Sequence, residues 1–265
     1  MQLGIVGFGV VGRAMATFFS RGRANQVCVY DKYLPAYSSV SNMDAVDACD
    51  LVFVAVPTPT AADGCSADIS AVVESVTWIS APICIRSTIP PGTTAKLIRD
   101  TEKQIAFSPE YIGEAMHHQW SDEDSCGYLI VGGDSVIAET VCRAYRPVAP
   151  PNFRYAITDP TTAELCKYTE NCFLATKVAF VNQFYDIAVA LDVDFEMLRS
   201  LWLMDSRIGE SHTLVTNERG FGGSCLPKDA KAIVSLMRSK GSAPLLEAVL
   251  SFNDMIRRNP KPRPV

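Results

Sequence analysis

Leu3-Gly4-Ile5-Val6-Gly7-Phe8-Gly9-Val10-Val11-Gly12 opens the chain with a short apolar run and then glycines spaced G-x-G-x-x-G. The run Leu3–Val6 reads as a buried strand, and the pattern from Val10 to Phe19 reads as a helix. Strand, glycine turn and helix in that order form a dinucleotide-binding signature. The first glycine, Gly7, makes the turn; the second, Gly9, admits a pyrophosphate; the third, Gly12, lets helix and strand pack. The helix end at Val10 and Val11 supplies N–H groups and a positive dipole end for the phosphates. Asp31 closes the next strand, Val27–Tyr30, 19 residues after Gly12. A carboxylate there accepts hydrogen bonds from ribose hydroxyls and repels a 2′-phosphate, so NAD is expected over NADP; the adjacent Lys32 softens that preference.

Outward from this motif, strand and helix signals alternate. Leu51–Val56 is a fully apolar run of the kind buried in parallel sheets. Asp68–Ser80 reads as a helix with Asp68 as N-cap. Ile83–Ile85 is a strand, and the break at Pro90-Pro91 precedes a helix over Thr93–Thr101. Gln104–Phe107, Tyr128–Val131 and Phe153–Ile157 continue the strand series. The expected fold is α/β, an N-terminal Rossmann-like doubly wound parallel sheet followed by an all-α domain. Thr161-Thr162-Ala163-Glu164 has the form of a capping box. Helical spacing then runs to about Leu191 with no Gly or Pro, far beyond the usual ~11–12 residues. The remainder reads as helical except around Cys225. The expected domains are 1–158 for the dinucleotide, 159–258 for the helical central part with its long helix, and 259–265 as a tail.

Composition narrows the function classes. The 265 residues are 48 % hydrophobic and 20 % charged, an ordinary globular mixture, and the net charge of −5 comes with no basic block. Neither a nucleic acid nor an anionic membrane is expected as the main partner. The nine cysteines form no C-x-x-C pair, which excludes the usual zinc spacings and fits a reducing, cytoplasmic setting. Glycines interrupt the N-terminal apolar run, so it reads as neither signal peptide nor membrane span.

Gly220-Phe221-Gly222-Gly223-Ser224-Cys225-Leu226-Pro227-Lys228-Asp229 carries the chemistry. A thiol in a glycine-rich turn, with a cation three residues on, has the setting of an activated nucleophile. Glu110 and Glu114 lie in Ser108-Pro109-Glu110-Tyr111-Ile112-Gly113-Glu114, just past a strand end where ligands sit in such sheets. The plain alternative is two solvated carboxylates. Thr88 follows a strand and suits either a ligand contact or a turn. Lys167 and Asn171 are four residues apart and share a face of the long helix. A lysine snorkelling to the surface is an equal reading for that pair. Cys166 and Cys172 beside them read as core thiols.

These segments, with Val56-Pro57-Thr58-Pro59-Thr60, Asp63-Gly64, Ser87-Thr88-Ile89-Pro90-Pro91-Gly92-Thr93 and Arg207-Ile208-Gly209, run in one order along nearly the whole chain. Together they resemble the UDP-glucose/GDP-mannose dehydrogenase family. The resemblance implies oxidation of the primary alcohol of a nucleotide sugar to a carboxylate, UDP-glucose to UDP-glucuronate first among them, with two NAD⁺ and one water. It implies Cys225 as the nucleophile that carries a thiohemiacetal and then a thioester. Lys167 and Asn171 correspond to the pair that stabilises the oxyanion. Asp229 corresponds to the aspartate that orders water, and Thr88 and Glu110 to groups that serve water binding and thioester hydrolysis. Both Asp229, through water, and Lys167 are candidates for the base that takes the alcohol proton. Gly7, Gly9, Val10, Val11, Gly12, Asp31, Lys32, Thr58, Thr88, Glu114 and Lys228 are the positions expected against NAD. Glu110, Tyr111, Ile112, Gly113, Glu114, Lys167, Asn171 and Gly222 are those expected against the sugar nucleotide.

The resemblance also implies a homodimer through the long helix. Family members normally carry a third domain that grips the nucleotide, and this chain is expected to lack it. The segment Ser211–Arg219 departs from the family pattern by having Asn217 and Glu218 near the place of a Pro-Gly. Two other readings stand beside the first: a non-catalytic NAD- or partner-binding protein, and a dehydrogenase for a smaller hydroxy acid.

Overall fold

The computed structural model describes residues 1–21, 24–112 and 122–258. Gly113 and Glu114, named above for ligand contacts, and the tail 259–265 lie outside the described residues. The chain divides into two compact units, Met1–Pro59 with Asp68–Lys167, and Thr60–Ala67 with the chain from Tyr168 onward.

The first unit begins β1 (Gln2–Val6), α1 (Val10–Phe19), β2 (Gln26–Tyr30), α2 (Val40–Asp47) and β3 (Leu51–Val54). It continues with α3 (Ser70–Trp78), β4 (Ile83–Ile85), α4 (Thr93–Thr101) and β5 (Ile105–Phe107). Then come β6 (Tyr128–Gly132), α5 (Ser135–Tyr145), β7 (Arg154–Thr158) and the start of α6 (Pro160–Ala190). Among the described residues, seven strands form one sheet in the order β2-β1-β3-β4-β5-β6-β7. The pairs are parallel except β5–β6, which meet antiparallel at Phe107 opposite Gly132. The order reverses between β1 and β3, and ligands bind beyond the carboxyl ends of strands at such a switch point.

Both faces of the sheet are covered, which is why its strands read as unbroken apolar runs. On β3, Leu51 and Phe53 face a core with Phe18, Phe19, Val141 and Tyr145. Val52 and Val54 face the opposite core with Val72, Val76, Ile83 and Ile85. Two helices, α2 and α5, were not expected from the sequence. Each has a cap: Ser39 Oγ accepts from Asn42 N at 3.2 Å, and Asp134 Oδ1 accepts from Val136 N at 2.8 Å.

The capping box is corrected. α6 begins at Pro160, and Asp159 caps it by accepting from Thr162 N at 3.0 Å. Glu164 is fully buried and serves a different helix. Its carboxylate accepts from Gly92 N at 2.5 Å and Thr94 N at 2.8 Å, the open N–H groups at the start of α4. Glu164→Gln leaves one of those donors facing an amide N–H₂. It is expected to lower stability by about 2 kcal/mol, read from the midpoint of urea unfolding.

The second unit contains the rest of α6, α7 (Phe195–Trp202), α8 (Leu226–Met237) and α9 (Pro244–Arg258). Its cores join α6 to the later helices: Ala175, Val178 and Ala179 pack with Phe221 and Val249, and Val181, Tyr185 and Ala188 pack with Phe195 and Val215. The stretch 203–225 is not helical, so the irregular region is longer than expected. Four residues in it, Gly209, His212, Arg219 and Gly220, have φ between 58° and 67°, a left-handed backbone that an α-helix cannot contain. No helix among the described residues is long and apolar enough to cross a membrane.

Candidate active site

The turn after β1 is built to receive a dinucleotide. Gly7 has φ of 92°, and a Cβ there would lie 2.5 Å from the carbonyl oxygen of Ala55. A Cβ on Gly12 would lie 2.0 Å from the carbonyl oxygen of Gly7, so α1 can sit this close to the turn only with glycine. Gly9 is different: a Cβ there meets nothing within 4 Å. The open side of the turn is therefore the side on which Gly9 leaves room for a pyrophosphate, and these residues fit NAD. Val10 and Val11 begin α1 there.

Asp31 ties this turn to the end of β2. Its Oδ2 accepts from Phe8 N at 2.7 Å and its Oδ1 from Tyr33 N and Leu34 N at 2.9 and 3.1 Å. A carboxylate has about four acceptor positions, so capacity is left for a ribose hydroxyl. Lys32 turns to Glu74 at 2.7 Å on the exposed surface, which satisfies its charge without a 2′-phosphate. Thr58 lies half-buried past β3, and Thr88 half-buried past β4.

Glu110 follows β5. Burial pushes its carboxyl up, while Lys167 and Arg86 oppose that rise. Its Oε1 is buried with no hydrogen-bond partner among the described residues. The Lys167 ammonium stands 4.9 Å from the Tyr111 ring centre, a cation–π contact rather than a solvent-exposed position. Within the first unit, then, the structure brings together Glu110, Tyr111 and Lys167.

The sequence assigns Arg86 no role, and the structure gives it one. It is buried, donating to Ser108 Oγ at 2.7 Å, the Pro109 carbonyl at 3.1 Å and Glu123 Oε1 at 2.6 Å. It thereby fixes the strand end from which Glu110 projects. A cation directly after the all-apolar Ile83–Ile85 was the available signal. Glu123, 37 positions away, carried none.

In the second unit, Cys225 occupies the N-cap position of α8, the end of a helix that favours negative charge. Of the nine thiols, it alone is exposed. Burial pushes Cys172 up to about 12, with Asp229 adding to the effect, and burial pushes Cys84 up to about 12 as well. Asp229 N donates to the Cys225 carbonyl at 2.9 Å, placing the carboxylate one turn along. Asp229 is 1 % exposed. Its Oδ2 accepts from Asn171 Nδ2 and its Oδ1 from Lys228 Nζ, both at 2.6 Å. Asn171 Nδ2 carries two hydrogens, so one remains for a further acceptor. Gly222 is half-buried, and a Cβ there would lie 3.0 Å from the Arg257 guanidinium.

Residues 33–147 match the model of the UDP-glucose/GDP-mannose dehydrogenase family, NAD binding domain, and residues 161–255 match that of the same family's central domain. A UDP-glucose 6-dehydrogenase of Rickettsia bellii is 33 % identical over 217 residues, which is 77 % of this chain and 49 % of that protein. The chain thus spans about half the length of the curated relatives it matches. The solved UDP-glucose dehydrogenase of Pyrobaculum islandicum aligns with TM-score 0.83 and 28 % identity, over 97 % of this chain and 68 % of that one. A 3-hydroxyisobutyrate dehydrogenase of Mycobacterium tuberculosis shares the fold, with TM-score 0.73 and 16 % identity over 97 % of this chain and 94 % of that one. With both domain models matched in order along its length, the chain belongs to the UDP-glucose/GDP-mannose dehydrogenase family.

Proposed function

We propose that this chain carries the catalytic apparatus of an NAD-dependent nucleotide-sugar dehydrogenase acting on UDP-glucose through a covalent adduct on Cys225. The observation that carries the reading is the single exposed thiol one helical turn from a buried carboxylate that holds an amide, Asp229 with Asn171. The residues that would hold NAD are Gly7, Gly9, Gly12, Val10, Val11 and Asp31, joined by Lys32, Thr58, Thr88, Glu114 and Lys228. NAD, when bound, accepts a hydride from the substrate carbon at each of two oxidations.

The side chains do the rest. The alcohol proton leaves to Asp229 through water or to Lys167. Cys225 Sγ then adds to the aldehyde carbon, and the carbonyl electron pair moves onto oxygen. The Lys167 ammonium and the second N–H of Asn171 Nδ2 donate to that oxygen, where charge develops. After the second oxidation the carbon is held as a thioester. Water positioned by Thr88 adds to it, Glu110 takes the water proton, and the C–S bond breaks to return the thiolate. Burial pushes the Glu110 carboxyl up from the ordinary carboxylate value, which makes it a stronger base than a solvated glutamate. Tyr111, Ile112, Gly113, Glu114 and Gly222 are the further positions proposed to contact the sugar nucleotide.

NADH counted against substrate consumed tests the reading. Two NADH per UDP-glucose supports it. One NADH with a small hydroxy acid would make the protein a two-electron dehydrogenase. No NADH with any sugar nucleotide or hydroxy acid, at enzyme levels that reveal a single turnover, would remove it. We also propose a homodimer through α6, where Phe173, Phe180 and Val189 are 65 %, 56 % and 44 % exposed on the single chain. A sedimentation mass of 28.9 kDa at micromolar concentration would refute it. The nine cysteines are thiols rather than disulfides, which suits a reducing cytoplasm.

A further inference from the structure

Arg219 stands immediately before the glycine-rich turn and combines two features that cost free energy. Its φ is 58°, in the left-handed region that an L-residue enters at about 1–2 kcal/mol. Its side chain is 2 % exposed, so a permanent cation is buried. Neither would persist unless the surroundings held it there.

The surroundings are one stripe of α6. Arg219 Nε donates to Asn182 Oδ1 at 2.8 Å, and Nη2 donates to Asp186 Oδ1 at 2.8 Å and to the Asn182 carbonyl at 3.3 Å. The guanidinium also lies 4.5 Å from the Tyr185 ring centre. The same Asn182 Oδ1 accepts from Gly220 N at 3.1 Å, so one amide joins the arginine side chain to the next residue's backbone. Asn253 of α9 continues the series, accepting from Phe221 N at 2.7 Å and donating to the Phe221 carbonyl at 3.0 Å. Arg257 Nη1 closes it by donating to the Arg219 carbonyl at 3.1 Å.

Three consecutive residues, Arg219, Gly220 and Phe221, are therefore fixed to α6 and α9. The chain from Gly223 to Cys225 is exposed, and Cys225 is where α8 starts. The Cys225 thiol is hung between two anchors, the Arg219 clamp before it and α8 after it. We propose that Arg219 is a positioning residue, whose buried fork sets the path of the Gly220–Cys225 turn and through it the place of the Cys225 sulfur. Its catalytic consequence rests on the Cys225 reading above; the clamp itself does not.

Arg219→Gly is the informative variant, because glycine adopts φ of 58° freely and removes only the fork. Asp186 is 30 % exposed and is hydrated when the cation leaves. Amide hydrogen exchange on the whole protein, without substrate, reads the clamp directly. Exchange over residues 220–225 is expected to rise about tenfold or more, with the rest of α6 unchanged. In turnover, kcat falls about tenfold for a displaced nucleophile while KM stays put. Arg219→Lys keeps the charge but not the fork, and is expected to recover part of both losses. It also serves if the glycine variant does not fold.

Unchanged exchange over 220–225 in both variants would overturn the clamp, as would an equal rise along all of α6. A lowered Tm with kcat of the folded enzyme unchanged would reduce Arg219 to a structural residue and overturn the positioning role. If Cys225→Ser keeps full turnover, the nucleophile reading has failed instead, and the exchange result still decides the clamp.

Discussion

Cys225→Ser is expected to bind NAD and complete the first oxidation, yet to make the carboxylate about 10³-fold more slowly or worse. A serine hydroxyl is a far weaker nucleophile at neutral pH than a thiol, and its alkoxide is a poorer leaving group than a thiolate. NADH formation should then stop at one per bound sugar, where the unaltered protein yields two. Rapid quench followed by mass spectrometry of the 220–238 region should show an acyl adduct on the unaltered protein and none on the variant. Alkylation gives an independent check. Cys225 is exposed, while burial pushes Cys49, Cys84 and Cys172 up to about 12. Iodoacetamide should therefore modify Cys225 first, and inactivation should follow that single modification. Full carboxylate production by Cys225→Ser would end the covalent mechanism.

The features that could be read from the sequence are those whose cause is local. Gly7 and Gly12 are demanded by a turn within six residues, and Leu51–Val54 is apolar because the sheet is buried on both faces. Helix α4 was placed from Pro90-Pro91 before it and α6 from unbroken periodicity. What escaped the sequence depends on distant partners. Glu164 has the spacing of a box partner for Thr161, but its carboxylate goes to α4, 70 residues earlier in the chain. A local pattern lost to two open N–H groups in a buried place. Arg86 and Glu123 form an ion pair across 37 positions, and Arg219 meets Asn182 across 37 as well. No periodicity signals such a pair. The cluster around Cys225 was legible for a different reason: a glycine turn, a cysteine, a lysine and an aspartate stand within ten residues. Its supports, Asn182 and Asn253, were not, since a buried asparagine in a helix looks like any solvated one.

Asp229→Asn is expected to damage both stability and turnover, because among the described residues no other carboxylate in the second unit is as enclosed while holding two donors. Asp229 is 1 % exposed, and each of its oxygens accepts one bond of 2.6 Å, from Asn171 Nδ2 and from Lys228 Nζ. An amide in its place has one acceptor oxygen and one donor group. Whichever way it turns, an N–H₂ faces either the Asn171 amide or the Lys228 ammonium. Lys228 is 12 % exposed, so its charge has little water to fall back on. Removing the partner of a buried charge costs about 3 kcal/mol, which a shift in the urea midpoint would reveal. The catalytic loss follows from geometry. Asn171 owes its orientation to Asp229, and with that bond broken its remaining N–H no longer points in a fixed direction. Turnover should fall by about 10²-fold or more, as when a proton-handling or oxyanion group is lost. Asn171→Ala tests the same link from the other side: it removes the proposed oxyanion donor but leaves Asp229 paired with Lys228. It should therefore cost turnover with less loss of stability. If Asp229→Asn unfolded at the same urea concentration and turned over within a factor of about two, the paired carboxylate would be neither a structural hub nor a catalytic support. Equal stability losses in the two variants would instead place the effect in the Asn171–Asp229 bond alone and leave the Lys228 pair without consequence.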